Sequence, residues 1–368
     1  MIDFRYHLVS IVAVFLALAI GIVLGSTELQ GNTLSVLNST SNSLRSQLSA
    51  ASTARNAYAA QASAADAFVA TSESLLLGQG HLLAGQELVV IAEPGAPGAV
   101  TDGVKKAAVA AGATVTGQVT LQAGFNDLSG ATESTLSSIN GSIAASDGTP
   151  LNPGTDPQTT YQQQAAQLIA GAILAKAPAG GTAASPGGPG TQATDGGAGG
   201  ENAQTLLKAY AQAGFITFTG TPASRATLAV IVTPGSVPAA ASSDPANEVL
   251  VAIAGQFAAA SSATAVAGAA TPSGQAGSAI SVVRSSSASG QVSTIDDADS
   301  TQGQITVMQA IARQLAGGKA SSYGISGASS VSPSPVPTPS ASASATPTTQ
   351  ATGKPPGKPK TAKQVRSK

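Results

Sequence analysis

The hydrophobic pattern changes character twice along the chain. From Leu8 to Thr27, twenty residues run without a charge (LVSIVAVFLALAIGIVLGST), and Ser10 is the only polar residue before the end of the run. A helix of that length rises about 30 Å, the thickness of a bilayer core. Arg5 precedes the run and Glu28 follows it. The positive-inside rule then puts the N-terminus in the cytoplasm and residues 28–368 outside it. Val23-Leu24-Gly25 offers a small-residue cleavage site, so a removed leader is the competing reading. The single firm positive charge and the length of the run favour a retained anchor over residues 1–27. Ala13, Ala17, Gly21 and Gly25 recur every four residues on one helix face. Such a ladder lets a second helix backbone approach closely in lipid and predicts a dimer.

Beyond the anchor the pattern becomes heptad-like. Residues 28–77 hold no Pro and one Gly, Gly31. With Leu34 at a, the a series is Leu34, Ser41, Leu48, Arg55, Ala62, Val69 and Leu76, and the d series is Leu37, Leu44, Ala51, Tyr58, Ala65 and Ser72. Apolar residues on a 3.5-residue period predict a parallel coiled-coil stem over 28–80, with Leu34, Leu37, Leu44, Leu48, Tyr58, Val69 and Leu76 as its seam. A single Ala-rich helix folded back onto its own domain is the competing reading.

From about residue 84 to 325 the period alternates between strand and helix. Strands are predicted at 87–91, 114–120, 215–218, 228–233, 264–267 and 280–283, and helices at 100–111, 158–176, 203–213, 245–259 and 303–316. Gly112 ends the first of these helices and Asp244-Pro245 starts the fourth. The alternation predicts an extracytoplasmic α/β sandwich with a largely parallel sheet. Residues 178–200 are Gly, Ala and Pro-rich and read as a flexible insertion; residues 329–368, Ser/Pro-rich and then basic, read as a disordered tail.

Composition sharpens this division. Only 10% of the 368 residues are charged. Leu, Ile, Val and Phe together make up about a fifth of the chain, so a single core of all 368 residues is excluded. The net charge of −1 hides a basic end: Lys354, Lys358, Lys360, Lys363, Arg366 and Lys368 stand without an acid, and the rest of the chain carries −7. That end reads as a solubilising tail, with anionic polymers or lipid headgroups as alternative partners. No aromatics interleave with these charges, so no nucleic-acid surface is expected.

Candidate chemistry is sparse. The absence of Cys excludes disulfides, thiolate metal sites and cysteine nucleophiles. No phosphate loop or nucleophile elbow occurs. Glu93-Pro94-Gly95-Ala96-Pro97-Gly98 lies between a predicted strand and helix, where α/β folds hold anions. It lacks the dinucleotide fingerprint and reads as the start of a helix. Asp296, Asp297 and Asp299 group three carboxylates; they offer oxygen ligands to a hard cation, but capping of the last helix by Asp299 or Ser300 is the preferred reading. His81 reads as a surface-loop residue. No carboxylate pair stands out, so the chain is read as non-enzymatic, with no cofactor and no assigned metal ligand.

The start, Arg5-Tyr6-His7-Leu8-Val9-Ser10 through Gly25, resembles the actinobacterial family of copper-transport outer-membrane proteins (MctB-like). So do Val292-Ser293-Thr294-Ile295-Asp296-Asp297-Ala298-Asp299, the Gly303-Gln304 helix that follows, and Ser322-Tyr323-Gly324. The strands at 88–91 and 111–115 also fit, and the resemblance covers about 1–325. It implies an envelope protein with one N-terminal span, a coiled-coil stem and an α/β domain, acting in channel-mediated copper efflux or homeostasis. It transfers no catalytic or metal-ligand residue. Copper selects sulfur or several imidazoles, whereas this chain has two Met and two His, His7 and His81. The alternative function is a non-enzymatic envelope scaffold binding a cell-wall or division partner such as a peptidoglycan hydrolase.

Overall fold

A single helix, α1, runs unbroken from Phe4 to Leu76 in the computed structural model. Its 73 residues extend over about 110 Å. The structure describes residues 4–154, 156–176, 198–234, 245–270 and 279–334; side chains at 26–34, 80, 198–201 and 245 lie outside the description. The Phe4–Gly25 part of α1 has a mean hydropathy of 2.9 and buries none of its length, so it is long and apolar enough to cross a membrane. The predicted anchor and the predicted stem therefore fall on one continuous helix. Its last turns lie along the globular domain: Asp66 accepts a hydrogen bond from the Thr301 amide (3.1 Å), and Gln309 Nε2 donates to the Leu76 carbonyl (3.3 Å). Leu77 is fully buried, and the chain then reverses through Gly78 and Gln79, both at positive φ.

The domain contains β1 (Glu87–Ala92), α2 (Gly98–Ala110), β2 (Thr114–Leu121), α3 (Gly130–Asp147), α4 (Thr160–Ile173), α5 (Ala198–Gln212), β3 (Ile216–Gly220) and β4 (Leu228–Val232). It continues with α6 (Pro245–Ala260), β5 (Ala263–Ala267), α7 (Ala279–Ser285), β6 (Ser293–Ile295), α8 (Thr301–Leu315) and β7 (Ser322–Tyr323). The strands form one sheet in the order β3-β2-β1-β4-β5-β6-β7. Every neighbouring pair is parallel except β2 and β3. All five residues of β4 are buried, as a central strand covered on both faces requires.

Alternation along the strands assigns the two faces. Val89, Ile91, Ala229, Ile231 and Val266 join the core formed with Leu168, Ile169, Leu207, Tyr210, Ile253 and Val283 from α4 to α7. Leu88 and Val90 point the other way, to the layer made by α2 and α8. The result is an α/β/α sandwich. The chain leaves β1 for a helix on one face and β4 for a helix on the other, so β1 and β4 flank the topological switch point of the sheet.

Most sequence-predicted elements coincide with observed ones. The α2 helix ends at Gly112 as expected: that glycine takes φ +88°, and the Ala113 amide reaches back to the Ala108 carbonyl. The predicted strand at 280–283 is a correction, since those residues lie in α7. Ile280 and Val283 are buried three residues apart, which is a helical spacing that β-branched composition disguised. Three elements were not foreseen: α3, whose polar composition leaves only Leu136 and Asn140 buried, and the short β6 and β7. The domain also extends past 325. Ser329 and Ser330 amides bond to the Ser322 carbonyl, and the compact unit runs to Pro333. The expected insertion at 178–200 and the expected tail fall almost wholly on residues 177–197 and 335–368, outside the described residues, as does Asp244.

Candidate functional site

The three-aspartate run and the Ser322-Tyr323-Gly324 segment meet at the end of β6. Asp296 follows β6 and faces α7, where Arg284 stands in the last turn. Arg284 Nη1 lies 2.9 Å from Asp296 Oδ2, with the two side chains 12% and 3% exposed. The guanidinium also donates from Nε to Thr294 Oγ1 (2.9 Å), from Nη2 to the Tyr323 carbonyl (2.8 Å), and to the Ser326 carbonyl. Asp296 accepts in turn from the amides of Ile325 (2.7 Å) and Ser326 (2.9 Å). Gly324 sits at φ +124°, and a side chain there would run into the Asp296 carboxylate. The cluster is therefore a buried, hydrogen-bonded clamp that fastens the edge strand β7. Ser300 caps α8, its hydroxyl accepting from the Gly303 amide at 2.9 Å, and Asp299 accepts from the Ala270 amide at 2.8 Å. Of the two capping candidates Ser300 is the cap, whereas Asp296 and Asp299 are held by other bonds and Asp297 Oδ1 has no partner among the described residues.

Among the described residues five buried side-chain oxygens lack a hydrogen-bond partner: Glu93 Oε1, Asn126 Oδ1, Gln162 Oε1, Thr233 Oγ1 and Asp297 Oδ1. They share one end of the molecule. Glu93, Thr233 and Asp297 lie within two residues of the carboxyl ends of β1, β4 and β6, and Asn126 closes the turn after β2. Gln162, in α4, donates through Nε2 to the Asp127 carbonyl beside that same turn. Ladder bonds from the Glu93 amide to Val232 and from the Thr233 amide to Ala267 keep these residues in strand register. Glu93 and Thr233 are then neighbours about 5 Å apart on the face of Val89 and Ile91. Burial pushes the Glu93 carboxyl up to about 8. Burial, and then the neighbouring Asp296 charge, push Asp297 up to about 6. A cleft of about 380 Å³ opens beside this edge, lined by Glu93, Thr101, Asp102, Gln118, Thr120 and Gln122 among others.

Among the described residues, those singled out for packing are mostly open to solvent, and only the last of them lie near another element. Ala13, Ala17, Gly21 and Gly25 are exposed on the anchor, and space around both glycines is open. Leu37, Leu44, Leu48 and Tyr58 are 60–72% exposed on the stem. The Leu34 side chain lies outside the described residues. Val69 is half-buried and Leu76 is 41% exposed, in the stretch that lies along α8. His7 and His81 are both exposed, at opposite ends of α1. Among the described residues no three His, Cys, Asp or Glu side chains gather as a metal site. Arg284 was missed by sequence reasoning because its segment was read as a strand. Glu93 and Thr233 carried no signal until the sheet order was known.

A membrane-length helix that runs on into a long exposed helix and an α/β/α domain fits a membrane protein with a folded domain. The chain belongs to the family described as copper transport outer membrane protein, MctB, whose model matches residues 1–333. Among curated relatives, the copper transporter MctB of Mycobacterium tuberculosis and that of Mycobacterium bovis are each 33% identical to it, over 90% of this chain and 99% of the relative. The copper transporter MctB of Mycobacterium leprae is 31% identical over the same shares.

Proposed function

We propose that this protein takes part in copper transport in the cell envelope as a parallel oligomer anchored by α1, its domain outside the cytoplasm. Copper is cargo passed along the assembly, not a resident of the domain. The observation that carries this reading is the extent of the family match, which takes in anchor, stem and domain together. Relatives matched over 90% of the chain are named copper transporters and not enzymes. The residues favour passage over storage. Met308 is buried in α8, and about 100 Å of helix separates His7 from His81, so one copy cannot converge soft ligands. The anchor ladder and the exposed Leu37–Tyr58 seam support the oligomer.

Deletion of the gene tests it: cell copper is expected to rise and to return to normal with the full chain, and also with the His7→Ala/His81→Ala chain. Unchanged copper together with a wall or division defect overturns this reading in favour of the scaffold.

A further inference from the structure

The strand register carries Leu121, Glu93 and Thr233 into one row across β2, β1 and β4, on the face of Val89 and Ile91. Glu93 is 4% exposed and Thr233 is fully buried. A hydroxyl next to a carboxyl ordinarily donates to it. Here Thr233 Oγ1 and Glu93 Oε1 both lack a partner among the described residues, so the two neighbours are held apart. The α4 helix brings a third such oxygen to the same level. Leu174, just after α4, pairs with Ala226, just before β4. From Leu174 back to Gln162 the helix spans about 18 Å, and from Ala226 on to Thr233 the strand spans about 23 Å. Gln162 is fully buried and stands on the stripe of Ala166, Ile169 and Ile173 that packs onto this core. Its Nε2 is committed to the Asp127 carbonyl, next to Asn126, whose Oδ1 is the fourth unpartnered oxygen. The turn that holds Asn126 touches α6, which lies along α4 and follows β4.

The donor set decides the ligand class. One carboxylate, one hydroxyl and two amide carbonyls suit a hard cation, and the sulfur and imidazole that copper selects are missing. A single buried water donates two hydrogen bonds and cannot satisfy four acceptors. A buried charge has to be balanced, and one carboxylate balances one positive charge. The other charges around this end are committed or face solvent. Asp296 pairs with Arg284, Asp127 is exposed and held by Ser129 and Thr132, Glu248 of α6 is exposed, and Asp297 alternates to the opposite face of the sheet. We propose that the carboxyl end of this face holds one monovalent alkali cation, sodium or potassium, between the Glu93 carboxylate and the oxygens of Thr233, Gln162 and Asn126. The site is independent of copper transport. Burial pushes the Glu93 carboxyl up to about 8, so the cation competes there with a proton.

The test is thermal melting of the full chain in detergent micelles, in sodium, potassium or choline chloride at one ionic strength. A saturable rise of about 3 °C or more over choline is expected with at least one of the two metals. The rise should grow between pH 6 and 9 as the cation displaces the proton. The metal that gives the larger rise is the occupant, and broadening of the sodium NMR line, reversed by potassium, reads the same site directly. Glu93→Gln keeps the shape without the charge, and Thr233→Val keeps the shape without the hydroxyl. Each should fold, melt in choline at or above the wild type, and lose the response to metal. A folded wild type that melts alike in all three salts, its polar end then filled by water alone, overturns the proposal. So does a response to metal that survives either variant.

Discussion

Arg284 and Asp296 form a buried ion pair, 2.9 Å between Nη1 and Oδ2, that connects the last turn of α7 to the end of β6. Every nitrogen of the guanidinium is engaged, and both carboxylate oxygens accept backbone amides from 325–326. Desolvation opposes such a pair, and the additional hydrogen bonds offset it. Removing one partner strands the other charge. Arg284→Ala is therefore expected to lower unfolding free energy by about 3–5 kcal/mol in urea titration. The Arg284→Met/Asp296→Leu double variant should lose less than Arg284→Ala alone. Equal or larger loss in the double variant would mean that shape, not charge, governs this corner.

Gly303 lies in the first turn of α8, and a Cβ there would overlap the Asp297 carbonyl. That carbonyl also accepts from the Ser300 amide and hydroxyl, so it cannot move aside freely. Gly303→Ala is expected to cost about 2–3 kcal/mol, although alanine favours helix intrinsically. A neutral or stabilising result by thermal or urea unfolding would show that α8 can shift away from β6.

The family resemblance had pointed to Asp296, Gly303 and Gly324 without a reason for them. The structure supplies one: carboxylate, helix start and edge strand meet around one pair of strand ends. The βα alternation was legible because Leu88–Ile91 and Leu228–Val232 are unbroken apolar runs. The order of the sheet was not, since no local pattern states that β4 pairs with β1. Without that order Glu93 and Thr233 are 140 residues apart and unrelated. The α3 helix was hidden by its Ser and Thr content, and its place is held partly by Asn140.

Tyr210 from α5 donates to Asn140 Oδ1 at 2.6 Å, and Asn140 Nδ2 donates to the Tyr161 carbonyl at 2.9 Å. Both Tyr210 and Asn140 are fully buried. Tyr210→Phe keeps the ring packing and leaves Asn140 Oδ1 unsatisfied. The expected loss is about 1–3 kcal/mol in urea unfolding. An Asn140→Leu background should reduce that loss, because the stranded acceptor is then gone.

Glu93 gives stability a definite pH slope. Its carboxyl is held neutral up to about 8 in the fold, against an ordinary value of 4.5. Between those values the native state keeps a proton that the unfolded chain releases, so stability falls as pH rises. Asp297 acts in the same direction, between 3.8 and about 6. Glu93→Leu is expected to remove the Glu93 part of the decline, with its largest gain over wild type above pH 8. A gain that does not grow between pH 5 and 8 would mean that Glu93 is ionised in the fold.

The stem separates self-association from docking on the domain. Val69 and Leu76 lie where α1 follows α8, held by the bonds from Thr301 to Asp66 and from Gln309 to Leu76, whereas Leu44 and Leu48 have no such neighbour. If the seam pairs two copies, the open part from Leu37 to Tyr58 carries it. Leu44→Asp with Leu48→Asp places charge at that seam, and Gly21→Ile with Gly25→Ile blocks backbone approach in the membrane. Together they should abolish cross-linking of the full chain in membranes while leaving the domain's unfolding unchanged. Val69→Asp should do the reverse, weakening the domain by about 1–3 kcal/mol through its half-buried position and leaving cross-linking largely intact. Cross-linking that survives all four changes would place the contact between copies outside α1.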